Sequence, residues 1–306
     1  MTVTLNARGR RRRRGSHAGT TGMVVGLLGP SMILIALFVI VPVGYASYIS
    51  LTNKTLVGFG AQTPKFVGLE NYRQLLTSSD FLHSLSLTGQ FVFFSAIVGQ
   101  FLLGMLAAVL LTKSAVRAKG LFGAAILLPM VVPEVVASLA WASMLAPGQL
   151  GTVNRALEVF GIAPVAWLQE SPMLALIVVN TWRGIAFAMI MFQAAIEGIS
   201  DDLIESARID GAGAPQVFRY ITFPLIRGPV FLFLLLTTIT TASVFGLIYF
   251  LTRGGPGDQT TVTAIYIYNH SFAFFQLGLG SAASIIVLVL VLILGLTYVR
   301  FSKVEV

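Results

Sequence analysis

Six stretches of this chain, residues 23–51, 85–112, 121–145, 173–196, 230–251 and 279–301, are each long and almost continuously apolar. A segment that crosses the hydrocarbon layer of a bilayer needs roughly 20 such residues. Inside lipid, every backbone N–H and C=O must find its partner within a helix or a closed barrel. The runs do not alternate with a period of two, so helices are expected rather than barrel strands. Composition agrees, since 56% of residues are hydrophobic, 10% are charged and mean hydropathy is +0.86, whereas a soluble domain carries about 25% charged residues. The expected fold class is an all-α integral membrane protein with six transmembrane helices. A basic tail at 1–22 precedes one membrane domain at 23–303.

The positive charges are distributed unevenly between those stretches. Arg8, Arg10 to Arg14, Lys113, Arg117, Lys119, Arg208, Arg219, Arg227, Arg300 and Lys303 fall on one side, fourteen in all, against five on the other: Lys54, Lys65, Arg73, Arg155 and Arg253. The richer side faces the cytoplasm, so both termini and the loop at about 198–228 are expected there. The net charge of +8 is then topology, with the Arg-rich tail resting on anionic lipid rather than on nucleic acid. The first apolar run is too long for a secretory leader and lacks a small-x-small cleavage site, so it is expected to stay in the membrane. No cysteine is present, which rules out disulfides and thiolate metal sites, and His17, His83 and His270 stand singly, so no metal is expected.

Chemistry-bearing motifs are few. Gly278-Leu279-Gly280-Ser281-Ala282-Ala283 matches a dinucleotide-type GxGxxA, but it opens a lipid-length helix with no strand before it, where small residues serve close helix packing. Lys113-Ser114 lacks the glycines of a phosphate loop, so the chain cannot itself be an ATPase. The most structured polar segment is DLIESARIDGAGAPQVFRYITFP, between the fourth and fifth runs. Asp202 and Glu205, three apart, form a capping-box-like start, Gly211 and Gly213 end a helix, and Pro215 blocks its continuation. A helix of about two turns at 203–210 results, too short to stand alone in water. Read without any family, it is an amphipathic loop helix lying at the membrane interface.

Glu205-Ser206-Ala207, Gly211, Ile221 and Pro224 resemble the EAA signature of ATP-binding-cassette importer permeases. Phe66-Val67-Gly68-Leu69-Glu70-Asn71-Tyr72 looks like the F-x-G-L-x-N-Y element of carbohydrate-type members, and Leu251-Thr252-Arg253-Gly254-Gly255-Pro256 with Thr260 looks like their L-T-x-G-G-P-x-x-x-T loop. Asn180-Thr181-Trp182 and the Gly278 to Ser284 opening are similar as well. Ser206 stands where the signature has its first Ala, and Phe223 where it has Leu. The resemblance implies a type I importer (MetI-like) permease fold, one half of a heterodimer with a second permease. It also implies two partner ATPase subunits that use ATP and Mg, an extracytoplasmic solute-binding protein, and no cofactor bound by this chain. ATPase coupling then falls to Leu203, Ile204, Glu205, Ala207, Asp210 and Gly211.

A sugar path needs hydrogen-bonding groups near the bilayer midplane, where polar side chains are costly. The fourth run offers Asn180, Trp182, Arg183, Gly184 and Phe187, and the fifth offers Thr237, Thr238, Thr240, Thr241 and Ser243. Resemblance to maltose-type members implies a path lined by Asn180, Gly184, Thr237, Thr240 and Thr241, with Arg183 and Phe187 beside them. Threonines in a span also serve helix-to-helix bonding or bond back to the preceding turn. Arg183 meets an anionic cargo group, or it pairs with Glu134 or a partner acid, or it reaches for the outer face. Glu134, after Pro129 and Pro133, sits at a kink. The expected cargo is a mono- or oligosaccharide, with glycerol-phosphate-type or amino-sugar cargo as the alternative. A self-sufficient secondary transporter is the rival class, but the halves do not repeat and few acids lie inside the runs.

Overall fold

The computed structural model describes residues 28–112 and 119–302. The Arg-rich tail, the start of the first apolar run, Lys113, Arg117 and Lys303 lie outside the described residues. By contacts the chain divides into two units, Met1–Tyr48 and Ile49–Val306. Four helices among the described residues are long and apolar enough to cross a membrane, and six spans result if each of two bent pairs counts as one.

Helix α1, Leu28–Ser50, carries a π-helical turn at Ala36–Ile40. Leu34, Phe38, Ile40, Val41 and Tyr45 are all exposed, so apolar side chains surround the helix on every face. Water does not sustain such a surface, whereas lipid does.

In the second unit, α2 (Glu70–Thr77) follows a short antiparallel bridge between Thr52 and Phe66. The FxGLxNY element acts as a cap there. The Asn71 amide donates to the carbonyls of Ser50 and Thr52, 2.8 Å each, and the Tyr72 hydroxyl meets Ser50 Oγ at 2.6 Å. These contacts satisfy carbonyls that a helix end leaves open. Gly68 supplies the left-handed turn into α2, φ 59°.

Helix α3, Ser79–Thr112, starts at Ser78, whose hydroxyl accepts from the Phe81 N–H, and so begins six residues before the apolar run at 85. Its 34 residues exceed a bilayer's hydrocarbon thickness by several turns. Residues Val92–Gln100 are π-helical.

The apolar run at 121–145 is not one rod. Helices α4 (Lys119–Val131) and α5 (Glu134–Met144) meet at 106°. Pro133 has φ −55° and ψ 141°, so the chain turns out of helical geometry, and with no N–H it cannot continue the hydrogen-bond ladder. The run at 230–251 is also broken. Helix α9 (Ala214–Leu225) joins α10 (Arg227–Ala242) at 68°, and a second break follows before the short α11 (Gly246–Leu251). Thr240 and Ser243 bond back to Leu236 O and Ile239 O, which draws carbonyls away from the ladder near that break.

Helix α12 (Pro172–Glu197) packs closely along α3: a Cβ on Gly104 would overlap the Ala188 side chain, and one on Gly99 would meet Thr181 Oγ1 at 2.5 Å. Phe192 and Phe233 stack edge to face at 4.8 Å where α10 joins them. Helix α13 (Leu277–Ser302) starts against the loop after α1. Gly278 and Gly280 approach Thr52 O and Ser271 Oγ so closely that neither has room for a Cβ. The GxGxxA match is therefore a packing device, as its position in a lipid-length helix suggested.

Candidate functional site

Helices α3, α10 and α12 share a buried polar node centred on Gln100. Its amide N–H donates to Asn180 O at 3.1 Å, and its carbonyl oxygen accepts from Thr237 Oγ1 at 2.7 Å. The Asn180 amide donates to Ser95 Oγ at 2.9 Å, and Thr181 Oγ1 donates to Ser95 O at 3.3 Å. Ser95, Gln100, Asn180, Thr181 and Thr237 are all buried. Gly184 lies directly over the Gln100 amide, and a Cβ there would overlap it. Ser95 and Gln100 both belong to the π-helical segment, a widened turn of the kind that often marks functional positions.

The node brings together Asn180, Gly184 and Thr237, three of the residues named from the sequence, around a residue that had not been singled out. Gln100 was visible as an amide in an apolar run, and intramembrane polarity was the available signal. The other expected path residues lie apart. Phe187 packs its ring on Phe233 at 5.9 Å, and Thr241 is buried. The Thr240 hydroxyl bonds back to Leu236 O and Thr237 O. Thr238 Oγ1 is buried without a partner. Trp182 stacks edge to face on Trp141 at 5.6 Å.

Arg183 does not pair with Glu134. Its Nε is buried without a hydrogen-bond partner, and among the described residues it forms no salt bridge. The Glu134 carboxylate is engaged elsewhere: it accepts from the Leu247 N–H at 2.6 Å, at the start of α11.

The polar loop forms an arm at one end of the molecule. Helix α8, Asp201–Ile209, buries none of its residues; Leu203 is 51% exposed and Ile209 85%. The expected capping-box start is absent: Ser200 occupies the N-cap with no side-chain bond, and Asp201 and Asp202 lie in the first turn, where carboxylates oppose the positive helix end. The stop is formed as expected. Gly211 has φ 86°, its N–H reaches Arg208 O at 3.0 Å, and the Ala212 N–H reaches Ala207 O at 2.9 Å, a Schellman closure. Gly213 has φ −72° and is not left-handed; instead its N–H donates to the Gln216 side chain at 2.7 Å and opens α9. Leu203, Ile204, Glu205, Ala207, Asp210 and Gly211 thus share one short, self-closed and largely uncovered element.

The LTxGGPxxxT element is held by its own threonines. Thr260 is fully buried, its hydroxyl 2.8 Å from Thr252 Oγ1 and 2.9 Å from Gly255 O with the one proton shared between them, while Arg253 and Gly254 turn left-handed, φ 54° and 89°. A hollow nearby is lined by Asp80, His83, Asp258, Tyr266, Asn269 and His270. His83 Nε2 lies 3.7 Å from the Asp258 carboxylate, so histidines that are solitary in sequence share one hollow. Burial pushes the Tyr266 phenol above its ordinary range. Among the described residues no three His, Asp or Glu side chains converge as a metal site.

Buried amides and hydroxyls held between long apolar helices, together with a short uncovered helix, belong to a polytopic membrane protein. Comparison with known proteins is specific. Residues 100–303 match the family described as binding-protein-dependent transport system inner membrane component, and the chain belongs to it. The trehalose/maltose transport system permease protein MalF of Thermococcus litoralis is 33% identical over 234 residues, 76% of this chain and 77% of that protein. The sn-glycerol-3-phosphate transport system permease protein UgpA of Agrobacterium fabrum is 31% identical over 242 residues, 78% and 80% respectively. A solved bacterial alginate transporter, in complex with an alginate pentasaccharide-bound periplasmic protein, contains a chain with the same fold, TM-score 0.77 at 24% identity over 95% of this chain and 98% of that one. The protein is therefore a membrane-embedded permease component of a transporter.

Proposed function

We propose that this chain is one half of the membrane path of an ATP-binding-cassette importer for a sugar, with six spans and with both termini and α8 in the cytoplasm. The observation that carries the reading is α8 itself: nine residues closed by Gly211, none of them buried, offered at the end of an all-helical membrane body. So short a helix is unstable without a partner surface, and a cleft on an ATPase subunit supplies one. A second permease completes the path, and a solute-binding protein delivers cargo from outside. ATP and Mg act on the ATPases, and this chain binds neither. ATPase closure draws the arms together, and the membrane helices transmit the movement to the path. Asn180, Arg183, Gly184, Phe187, Thr237, Thr240 and Thr241 line or frame that path, with Gln100 setting the geometry of the first group.

The relatives' names support a carbohydrate cargo, since trehalose/maltose and alginate transporters stand among them. The UgpA match keeps a glycerol-phosphate-type cargo as the alternative. The test is co-expression of the chain with the permease and ATPase encoded beside it, followed by purification and ATPase assay in lipid with the binding protein. A stable assembly whose hydrolysis rises with loaded binding protein is expected. Hydrolysis indifferent to the presence of this chain refutes the reading.

A further inference from the structure

Among the described residues Arg183 has no counter-ion. It lies eleven residues after Pro172 and fourteen before Glu197 in α12, about 17 and 21 Å from the two ends at 1.5 Å per residue. An arginine side chain spans only about 7 Å, so the guanidinium cannot reach the water at either helix end. Among the chain's twelve acidic residues, only Glu134 falls inside an apolar run, and its carboxylate is already held by the Leu247 N–H. The Arg183 Nε is buried with no acceptor, although the rest of the side chain is partly exposed. Its position is the polar one: Asn180, Arg183, Gly184 and Phe187 follow at i, i+3, i+4 and i+7 and so share a face of α12. That face meets the Gln100 node.

We infer that Arg183 receives an anionic group of the cargo, a carboxylate or phosphate on a sugar or polyol. The inference rests on the importer reading and narrows its cargo class. A guanidinium offers its donors in a planar fork that matches two oxygens of such a group. The neighbouring amides of Gln100 and Asn180 are already engaged within the chain, so they leave the Arg183 charge uncompensated. A fixed cation left open in the path also discriminates against neutral sugars, which cannot compensate it.

The assembled transporter, with its binding protein, is reconstituted in lipid vesicles and tested for uptake of two anionic probes, sn-glycerol 3-phosphate and digalacturonate, and two neutral ones, glycerol and maltose. Uptake of an anionic probe and of neither neutral one is expected. In Arg183→Gln the KM for that probe rises at least tenfold, and Arg183→Lys recovers part of the loss because it restores the charge without the fork. Uptake of a neutral probe alone, uptake of none of the four, or a KM in Arg183→Gln within twofold of the parent overturns the inference. So does loss of the second permease on purification of Arg183→Gln, which assigns the residue to subunit pairing. Failure of the importer reading itself is separately visible, because the unaltered chain then purifies without an ATPase or a second permease.

Discussion

The Glu134 carboxylate accepts a hydrogen bond from the backbone N–H of Leu247 at 2.6 Å, across 113 residues of sequence. Glu134 stands in the first turn of α5, and Leu247 is the second residue of α11, so one carboxylate serves the positive ends of two helices. Gly246 makes this approach possible: a Cβ there would stand 3.2 Å from the Glu134 carboxyl carbon. The contact ties the bend at Pro133 to the break after Ala242. Ser138 adds to the tie, donating to Glu134 O at 2.8 Å and lying 3.4 Å from Leu247 O.

Removing that cap by Glu134→Ala is expected to cost about 1–2 kcal/mol, the usual effect of deleting an N-cap acceptor. Thermal unfolding of the purified assembly reads it as a lower Tm, with Glu134→Gln intermediate because its carbonyl oxygen still accepts. Equal Tm for Glu134→Ala and the parent contradicts the capping role.

Gly211→Val tests the arm. No atom crowds the missing Cβ of Gly211, so the cost comes from φ 86° alone, about 1–2 kcal/mol for a residue with a Cβ and more for a β-branched one. Uptake in vesicles is expected to fall at least tenfold while the assembly still hydrolyses ATP, giving a lower ratio of cargo moved to ATP consumed. An unchanged ratio counts against coupling through α8.

Gly184 poses the opposite problem, because space rather than conformation forbids a side chain. Gly184→Leu drives into the Gln100 amide and is expected to destabilise by about 1–3 kcal/mol, as overpacking does. Combining it with Gln100→Ala recovers part of the loss, since residues in contact are non-additive. Simple additivity in a double-mutant cycle, measured as Tm or as folded yield, argues that the two do not meet.

In the LTxGGPxxxT loop, Thr260→Val keeps the shape and removes the hydroxyl that bonds Thr252 and Gly255 O. Losing these part-buried bonds costs about 1 kcal/mol. Limited proteolysis is expected to nick the variant faster between residues 252 and 261, and an identical digestion pattern speaks against the threonine lock.

What the sequence revealed divides along physical lines. Hydropathy sums transfer free energies over a window, so it located the apolar helices and could not sense their breaks. The bend at Pro133 was legible from its prolines, whereas the break after Ala242 is held by Glu134, a carboxylate 113 residues from Leu247 that no local window contains. The stop of α8 was legible because glycine's left-handed preference is local, whereas the capping box expected from Asp202 and Glu205 lost to Ser200 at the N-cap. Asn180, Gly184 and Thr237 were visible as polar or small positions in spans. Their common partner Gln100 emerged only when α3 was placed against them, and His83 met Asp258 only through folding.

The Gln100 node also limits which motions are open to the membrane body. Sliding α12 along α3 by a single residue would strand the amides of Gln100 and Asn180 in hydrocarbon, where water cannot replace the lost bonds. The register is therefore discrete, and α3, α10 and α12 behave as one stiff lever. Any change of opening has to be taken up at the joints already present, the bend at Pro133 and the gap between Ala242 and Gly246, with Glu134 as the pin between them.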